Sequence, residues 1–137
     1  MKTWQDCVAF HGHECGGLTI GYKASLYAIE LLDLTFSDDE QVVCVAENDA
    51  CGIDGIQVML GCSVGKGNML FRMRGKSAYS FFNRKTGKSV RLPEKARLFA
   101  SYTCDCCGET AGSNWIRLAG DKKLCLDCYE SYDRFDI

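Results

Sequence analysis

Four cysteines in the last quarter of the chain constrain its fold more than any other feature. They form two C-x2-C pairs that are separated by seventeen residues. Each pair lets one tight turn supply two thiolates to zinc, and four thiolates complete a tetrahedral site with no open position. We therefore predict a structural zinc bound by Cys104, Cys107, Cys125 and Cys128. Cys106 is left over and is expected to face away from the metal.

The segment around these cysteines reads as a small zinc finger. A tail of under about 40 residues buries little core, so the metal should supply most of its folding free energy. We predict a hairpin over Trp115–Leu124 and a ligand-bearing helix over Leu126–Arg134, which together describe a treble-clef-like finger. The tail is acidic, with a net charge of −3 from residue 98 onward. Nucleic acid is therefore not an expected partner, because phosphate contacts need a basic surface.

The rest of the chain has the composition of an ordinary globular domain. Its 137 residues are 47% hydrophobic and 25% charged, and they include ten cysteines and one proline. We predict a core domain over residues 1–100 and a zinc-finger domain over residues 101–137. The chain shows no apolar run of membrane-spanning length and no signal-peptide pattern, so we expect a cytoplasmic protein without membrane contacts. In a reducing cytosol, many thiols indicate metal binding or redox chemistry.

The core domain is predicted to be α+β, with helices packed on a mostly antiparallel sheet. Apolar residues at spacings of four, four and three (Leu18, Tyr22, Leu26 and Ile29) mark one face of a long helix. The predicted helices cover residues 3–10, 18–32, 53–60 and 93–99. The predicted strands cover residues 41–46, 69–74, 78–83 and 89–92.

Charge is distributed unevenly along the sequence. Residues 1–65 carry −8 and residues 66–97 carry +9, although the whole chain carries only −2. Such segregation can steer an anionic ligand. The alternative, which we favour slightly, is that the acidic and basic stretches face each other across the fold or a subunit contact.

Both histidines of the chain fall in the run His11-Gly12-His13-Glu14-Cys15. In an extended segment the two imidazoles and the thiol point the same way, and in a helix His11 and Cys15 share a face. Cys15 also precedes the second predicted helix, whose N-terminus stabilises a thiolate. A lone histidine or cysteine is usually structural, as we expect for Cys7 and Cys44. The mixed His/Cys cluster instead indicates a metal or catalytic site.

Three further residues are weaker candidates. Cys51 and Cys62 lie in glycine-flanked loops at the two ends of the third predicted helix, which could bring both loops to one place. Lys66 lies in a glycine-rich loop that lacks the spacing of a phosphate-binding loop. It is either the contact for a small anionic ligand or a solvated lysine. Glu14 could carry protons, although we favour a solvated carboxylate at this position.

Three ordered motifs resemble the FmdE family, which is named after the E subunit of molybdenum formylmethanofuran dehydrogenase. They are His11-Gly12-His13-Glu14-Cys15-Gly16-Gly17, Cys51-Gly52-Ile53-Asp54-Gly55-Ile56-Gln57 and Gly61-Cys62-Ser63-Val64-Gly65-Lys66-Gly67-Asn68. The resemblance runs from about Phe10 to Leu92, with a further match in the cysteine tail. It implies an α+β core, a treble-clef zinc finger and homodimers. It also implies a metal or catalytic site at the positions of His11, His13, Cys15, Cys51 and Cys62, although Gly16 stands where the family usually has proline.

These observations together predict a metalloprotein with two sites. Beside the structural zinc, a core pocket would hold a second transition metal (zinc, iron, nickel or copper), which imidazole and thiolate ligands suit. Its expected functional residues are His11, His13, Cys15, Cys51, Cys62 and Lys66, with His13, Cys15 and Cys62 as metal ligands.

The expected role of the protein follows from the resemblance. It would support a molybdenum- or tungsten-dependent C1 oxidoreductase, whose subunits would be its partners, or catalyse a related reaction itself. One alternative is a non-catalytic accessory or metal-delivery protein. Another is a thiol-redox protein that uses Cys15 with Cys51 or Cys62.

Overall fold

The computed structural model describes residues 1–94, 101–112 and 115–129. Three helices lie in its first half: α1 (Trp4–His11), α2 (Gly16–Leu32) and α3 (Gly52–Leu60). Four strands form the main sheet: β1 (Val42–Ala46), β2 (Met69–Phe71), β3 (Ser77–Asn83) and β4 (Ser89–Glu94). Four short strands form two further pairs: β5 (Ser101–Thr103) with β6 (Thr110–Gly112), and β7 (Arg117–Ala119) with β8 (Lys122–Leu124).

The chain divides into two compact units. The first comprises residues 1–73 and 78–93, and the second comprises residues 74–77 and 94–137. The predicted boundary between residues 100 and 101 stays a prediction, because residues 95–100 lie outside the described part of the chain.

Helix α1 begins and ends where its capping residues require. The Thr3 hydroxyl accepts a hydrogen bond from the Asp6 backbone N–H, and the Thr3 backbone N–H donates to the Asp6 carboxylate at 2.7 Å. This reciprocal capping box satisfies two backbone donors at the helix start. Gly12 ends the helix with φ 95°, a left-handed conformation that glycine adopts without strain. The predicted first helix is therefore confirmed, and the histidine run starts at its last residue.

Helices α2 and α3 approach each other closely because both present glycine at the contact. A Cβ on Gly21 would overlap the backbone of Gly52, and one on Gly55 would lie 2.9 Å from the Tyr22 nitrogen. The apolar face predicted for α2 is therefore only partly right, since Leu18 alone of its four members is fully buried. The buried face of α2 carries mostly small residues, namely Leu18, Gly21, Ala24, Ser25, Ala28 and Leu32.

The main sheet is mixed, with strand order β2-β1-β3-β4. Strand β1 pairs in parallel with β2 and antiparallel with β3, so that Cys44 lies opposite both Met69 and Phe81. The connection from β1 to β2 contains α3, which provides the crossover that a parallel pair needs. The predicted α+β class is confirmed, with a parallel pair in the sheet.

Side chains of the three helices and the sheet form one core in the first unit, including Leu18, Ile56, Leu60 and Phe81. Acidic and basic stretches meet around it, as in the favoured interpretation of the charge pattern. Arg84 pairs with Glu40 at 3.2 Å. Arg91 contacts the buried carboxylate of Glu47 at 2.7 Å.

The helix predicted to start at Pro93 is wrong at its start. Strand β4 runs through Pro93 to Glu94, and β4 is the last strand of the sheet. Proline is tolerated there because an edge strand leaves some backbone N–H groups unpaired. The rest of that predicted helix, residues 95–99, lies outside the described residues.

In the second unit the predicted hairpin within residues 115–124 is confirmed by β7 and β8, which pair antiparallel. The buried ammonium of Lys76 contacts Glu109 at 2.9 Å and Asp127 at 2.8 Å. Residues 126–128 form a turn, and the predicted helix beyond residue 129 lies outside the described chain. Among the described residues, no helix has the length and apolarity that crossing a bilayer would need.

Candidate metal centres

Three potential ligands converge where α1 ends and α2 begins. Ligand atoms of His11, His13 and Cys15 all lie within 4.8 Å of one another. The two imidazole rings are 4.4 Å apart between centroids. The turn at Gly12 folds the chain back between them, which explains why residues from a helix end and a loop share one place. The predicted cluster of two imidazoles and one thiol is therefore present in the structure.

Asp54 of α3 orients the His11 ring. Its carboxylate lies 2.7 Å from His11 Nδ1, while His11 Nε2 lies 3.7 Å from the Cys15 sulfur. The hydrogen bond from His11 to Asp54 raises the pKa of the imidazole. A carboxylate on one ring nitrogen fixes the tautomer and directs the other nitrogen toward a metal. Analysis of the sequence missed Asp54, whose position three residues after Cys51 becomes informative only when α1 is seen against α3.

Cys15 is the N-cap residue of α2, as the sequence predicts. Its sulfur accepts a hydrogen bond from the Leu18 backbone N–H at 3.3 Å, and this hydrogen bond lowers the pKa of the thiol. Hydrogen bonding to Cys51 and His11 lowers it further. Burial and the neighbouring Cys15 raise the pKa of Cys51. The structure therefore favours a thiolate on Cys15 beside a protonated Cys51.

The remaining predicted site residues lie elsewhere. Cys62 follows the far end of α3, is fully buried and donates from its thiol to the Val42 carbonyl at 3.6 Å. Burial raises its pKa to about 12, so the prediction that Cys62 binds metal is not favoured by its surroundings. Lys66 lies in the loop that follows Cys62 and contacts the Ser37 carbonyl. The exposed Glu14 accepts from the Trp4 indole at 3.4 Å.

The second cluster is the predicted set of four cysteines. Ligand atoms of Cys104, Cys107, Cys125 and Cys128 lie within 4.8 Å of one another. Burial disfavours a thiolate on Cys104, but backbone hydrogen bonds around it outweigh this and lower its pKa to about 6. Cys106 is exposed and does not belong to the four. Four converging sulfurs, one of them readily ionised, match the donor set of a structural zinc site.

The fold and these two clusters define a class of α+β protein with a His/Cys cluster in its core unit and a four-cysteine cluster near its C-terminus. The family model described as "FmdE, Molybdenum formylmethanofuran dehydrogenase operon" matches residues 10–116. The chain belongs to this FmdE family, and its four-cysteine cluster is consistent with a zinc finger.

Two individual proteins are similar to the chain. A probable S-adenosyl-L-methionine-binding protein of Archaeoglobus fulgidus is 33% identical over 97 residues, which are 68% of this chain and 26% of that protein. The chain thus spans about a quarter of the length of this relative. A tungsten formylmethanofuran dehydrogenase FmdE-like protein from Syntrophus aciditrophicus has 17% identity and a TM-score of 0.46, with 90% of this chain and 88% of that chain covered.

Proposed function

We propose that this protein binds a transition metal through His11, His13 and Cys15 and carries a structural zinc in its four-cysteine cluster. The observation that carries the proposal is the convergence of two imidazoles and one thiol within 4.8 Å, with Asp54 on the outer nitrogen of His11. Imidazole and thiolate together suit zinc, iron, nickel or copper. Three protein ligands leave a coordination position for water or a substrate, as catalytic metal sites require.

Metal analysis of the purified protein tests this proposal. We expect about two metal ions per chain in the wild type and about one in a His13→Ala/Cys15→Ala double variant. A double variant of Cys44→Ala and Glu14→Ala is the control, because neither residue belongs to the clusters. Equal metal content in the wild type and the His13→Ala/Cys15→Ala variant would refute the core site.

The role we propose for the core site is support of a molybdenum- or tungsten-dependent C1 oxidoreductase of the formylmethanofuran dehydrogenase type. Family membership supports this role. A homodimer and association with oxidoreductase subunits belong to the same proposal. The S-adenosyl-L-methionine binding named for the Archaeoglobus relative is not part of it, because three quarters of that protein lie outside the match.

A metal-delivery protein is the accessory form of this proposal. His13 is exposed, and Cys15 and His11 are half-buried, so the core cluster is accessible to a chelator or a receiving protein. Rapid transfer of the core metal to a colorimetric chelator, with the four-cysteine metal retained, would favour delivery over a catalytic role. Slow exchange at both sites would favour a resident cofactor.

The contact between Cys15 and Cys51 supports a second candidate function in thiol exchange. A Cys15 thiolate could attack oxidised glutathione, forming a mixed disulfide and releasing one glutathione thiolate. The Cys51 thiol, once deprotonated, would then attack Cys15 and release the second glutathione as a thiol. A Cys51→Ser variant should accumulate the Cys15–glutathione adduct in mass spectra. Absence of the adduct would remove this candidate.

A further inference from the structure

A cleft of about 430 Å³ lies in the first unit beside the metal cluster and is lined by α1, α3 and the loop over residues 61–68. Its apolar lining includes Ala9 and Phe10 from α1, Val58 from α3, and Phe36. None of these residues belongs to the His/Cys cluster. The volume falls in the range of small-molecule pockets, which are usually apolar with a few converging polar groups.

Two ammonium groups converge on one aromatic ring in this cleft. The Nζ of Lys66 lies 5.8 Å from the centroid of Phe36, and the Nζ of Lys2 lies 6.0 Å from the same centroid. The third charged lining residue is Asp6, whose carboxylate already accepts hydrogen bonds from the backbone N–H and hydroxyl of Thr3. The cleft therefore carries a net positive charge beside an apolar surface.

Lys66 is held in this position by a buried amide. Asn68 is fully buried, and its Nδ2 donates to the Val42 carbonyl at 3.0 Å. Its Oδ1 accepts from the Ser63 backbone N–H at 2.9 Å, which fixes the loop from below. The Lys66 backbone N–H donates to the Ser63 hydroxyl at 3.3 Å. The Nζ of Lys66 donates to the Ser37 carbonyl at 2.7 Å. A solvated lysine needs no such placement, and a lysine that meets a ligand does.

We propose that this cleft binds a small molecule that carries a carboxylate or phosphate. The anionic group would lie between Lys2 and Lys66, where two ammonium groups supply charge-assisted hydrogen bonds. The apolar part of the molecule would lie against Phe36 and Phe10. This binding needs no metal, so the proposal is independent of the function assigned to His11, His13 and Cys15.

Phenyl phosphate is a suitable probe because it combines both recognition elements. We expect saturable chemical-shift changes in the ¹⁵N-labelled full chain at constant ionic strength, concentrated at Phe36 and residues 63–67. Inorganic phosphate should bind at the same place but more weakly, and benzyl alcohol should produce no saturable change there. Shifts scattered over many lysines, or no saturation with phenyl phosphate, would overturn the proposal.

Matched variants separate a built site from general attraction to positive charge. Lys66→Met should weaken phenyl phosphate binding about tenfold or more, since one charge-assisted contact is lost. Lys23→Met removes the same charge from an exposed position on α2 and should leave the affinity within about twofold. Asp6→Asn should tighten binding. Equal weakening by Lys66→Met and Lys23→Met, in proteins with unchanged melting temperatures, would refute the site.

Discussion

The two ring nitrogens of His11 have different neighbours, and this difference decides what the residue can do. Nδ1 faces the Asp54 carboxylate and Nε2 faces the Cys15 sulfur. A histidine oriented in this way binds a metal through one nitrogen while the carboxylate increases its basicity. Asp54 is therefore a positioning residue for the proposed core metal.

Replacing Asp54 with Asn should weaken the core metal by about 10- to 100-fold, the range found for such outer partners. The amide can still accept a hydrogen bond but lacks the negative charge. Competition with a chelator measures the affinity, and Co²⁺ absorption reports whether the cysteine ligand is kept. Asp38→Asn, at an exposed position in a loop, is the control. Equal affinities in the two variants would show that Asp54 does not act on the metal.

The cysteines of the first unit should differ strongly in reactivity. The hydrogen bond from Leu18 lowers the pKa of Cys15, whereas burial raises that of Cys62 to about 12 and that of Cys44 well above its usual range. In metal-free protein at neutral pH, iodoacetamide should modify Cys15 first, because the thiolate is the nucleophile. Peptide mapping by mass spectrometry measures the order. Modification of Cys62 or Cys44 before Cys15 in folded protein would contradict it.

At the scale of elements, the start and end of α1 were predictable because their signals are local. Thr3, Asp6 and Gly12 act within a few residues of one another, so the sequence shows the whole capping arrangement. The packing of α2 on α3 was not predictable in the same way. Its determinants are Gly21 and Gly55, and a glycine in a helix does not show which backbone it will meet.

Gly21→Ala should therefore destabilise the protein strongly. The added Cβ would overlap the Gly52 carbonyl, and backbone cannot move aside as a side-chain end can. We expect a loss of about 1–3 kcal/mol or more in the free energy of unfolding, typical of overpacked cores. Urea denaturation measures it. Gly65→Ala is the matched control, since a Cβ there meets nothing within 4 Å, and it should change stability by less than about 0.5 kcal/mol.

The core cluster was predictable in part for the same reason. His11, His13 and Cys15 lie within five residues, so any compact turn brings them together. Cys51 reaches Cys15 only because α3 packs on α2, and Asp54 reaches His11 only because α3 packs on α1. Cys62 illustrates the converse, because a helix of nine residues separates its two ends by about 13 Å. The loops before and after α3 therefore could not both meet the cluster.

At the scale of the whole molecule, the two units differ in what stabilises them. The first unit has a continuous apolar core of helices and sheet. In the described part of the second unit, the buried apolar residues are Cys104, Ala111 and Cys125, and two of these three are candidate ligands. Such a small core cannot offset the entropy of ordering the chain without a cross-link or a metal. The fold of the second unit should depend on bound zinc in a way that the first unit does not.

Removing zinc should therefore unfold the second unit while the first stays folded. With a strong chelator, amide signals from residues 101–129 should move to unfolded positions, and those of β1 and β3 should keep their dispersion. Cys107→Ser should produce the same loss without chelator, because it removes one of the four ligands. Cys106→Ser is a matched control one residue away, exposed and outside the four, and should keep the second unit folded. If β5 to β8 persist in the chelated protein, the zinc is not what stabilises this unit, and side-chain contacts such as those of Lys76 with Glu109 and Asp127 would have to account for it.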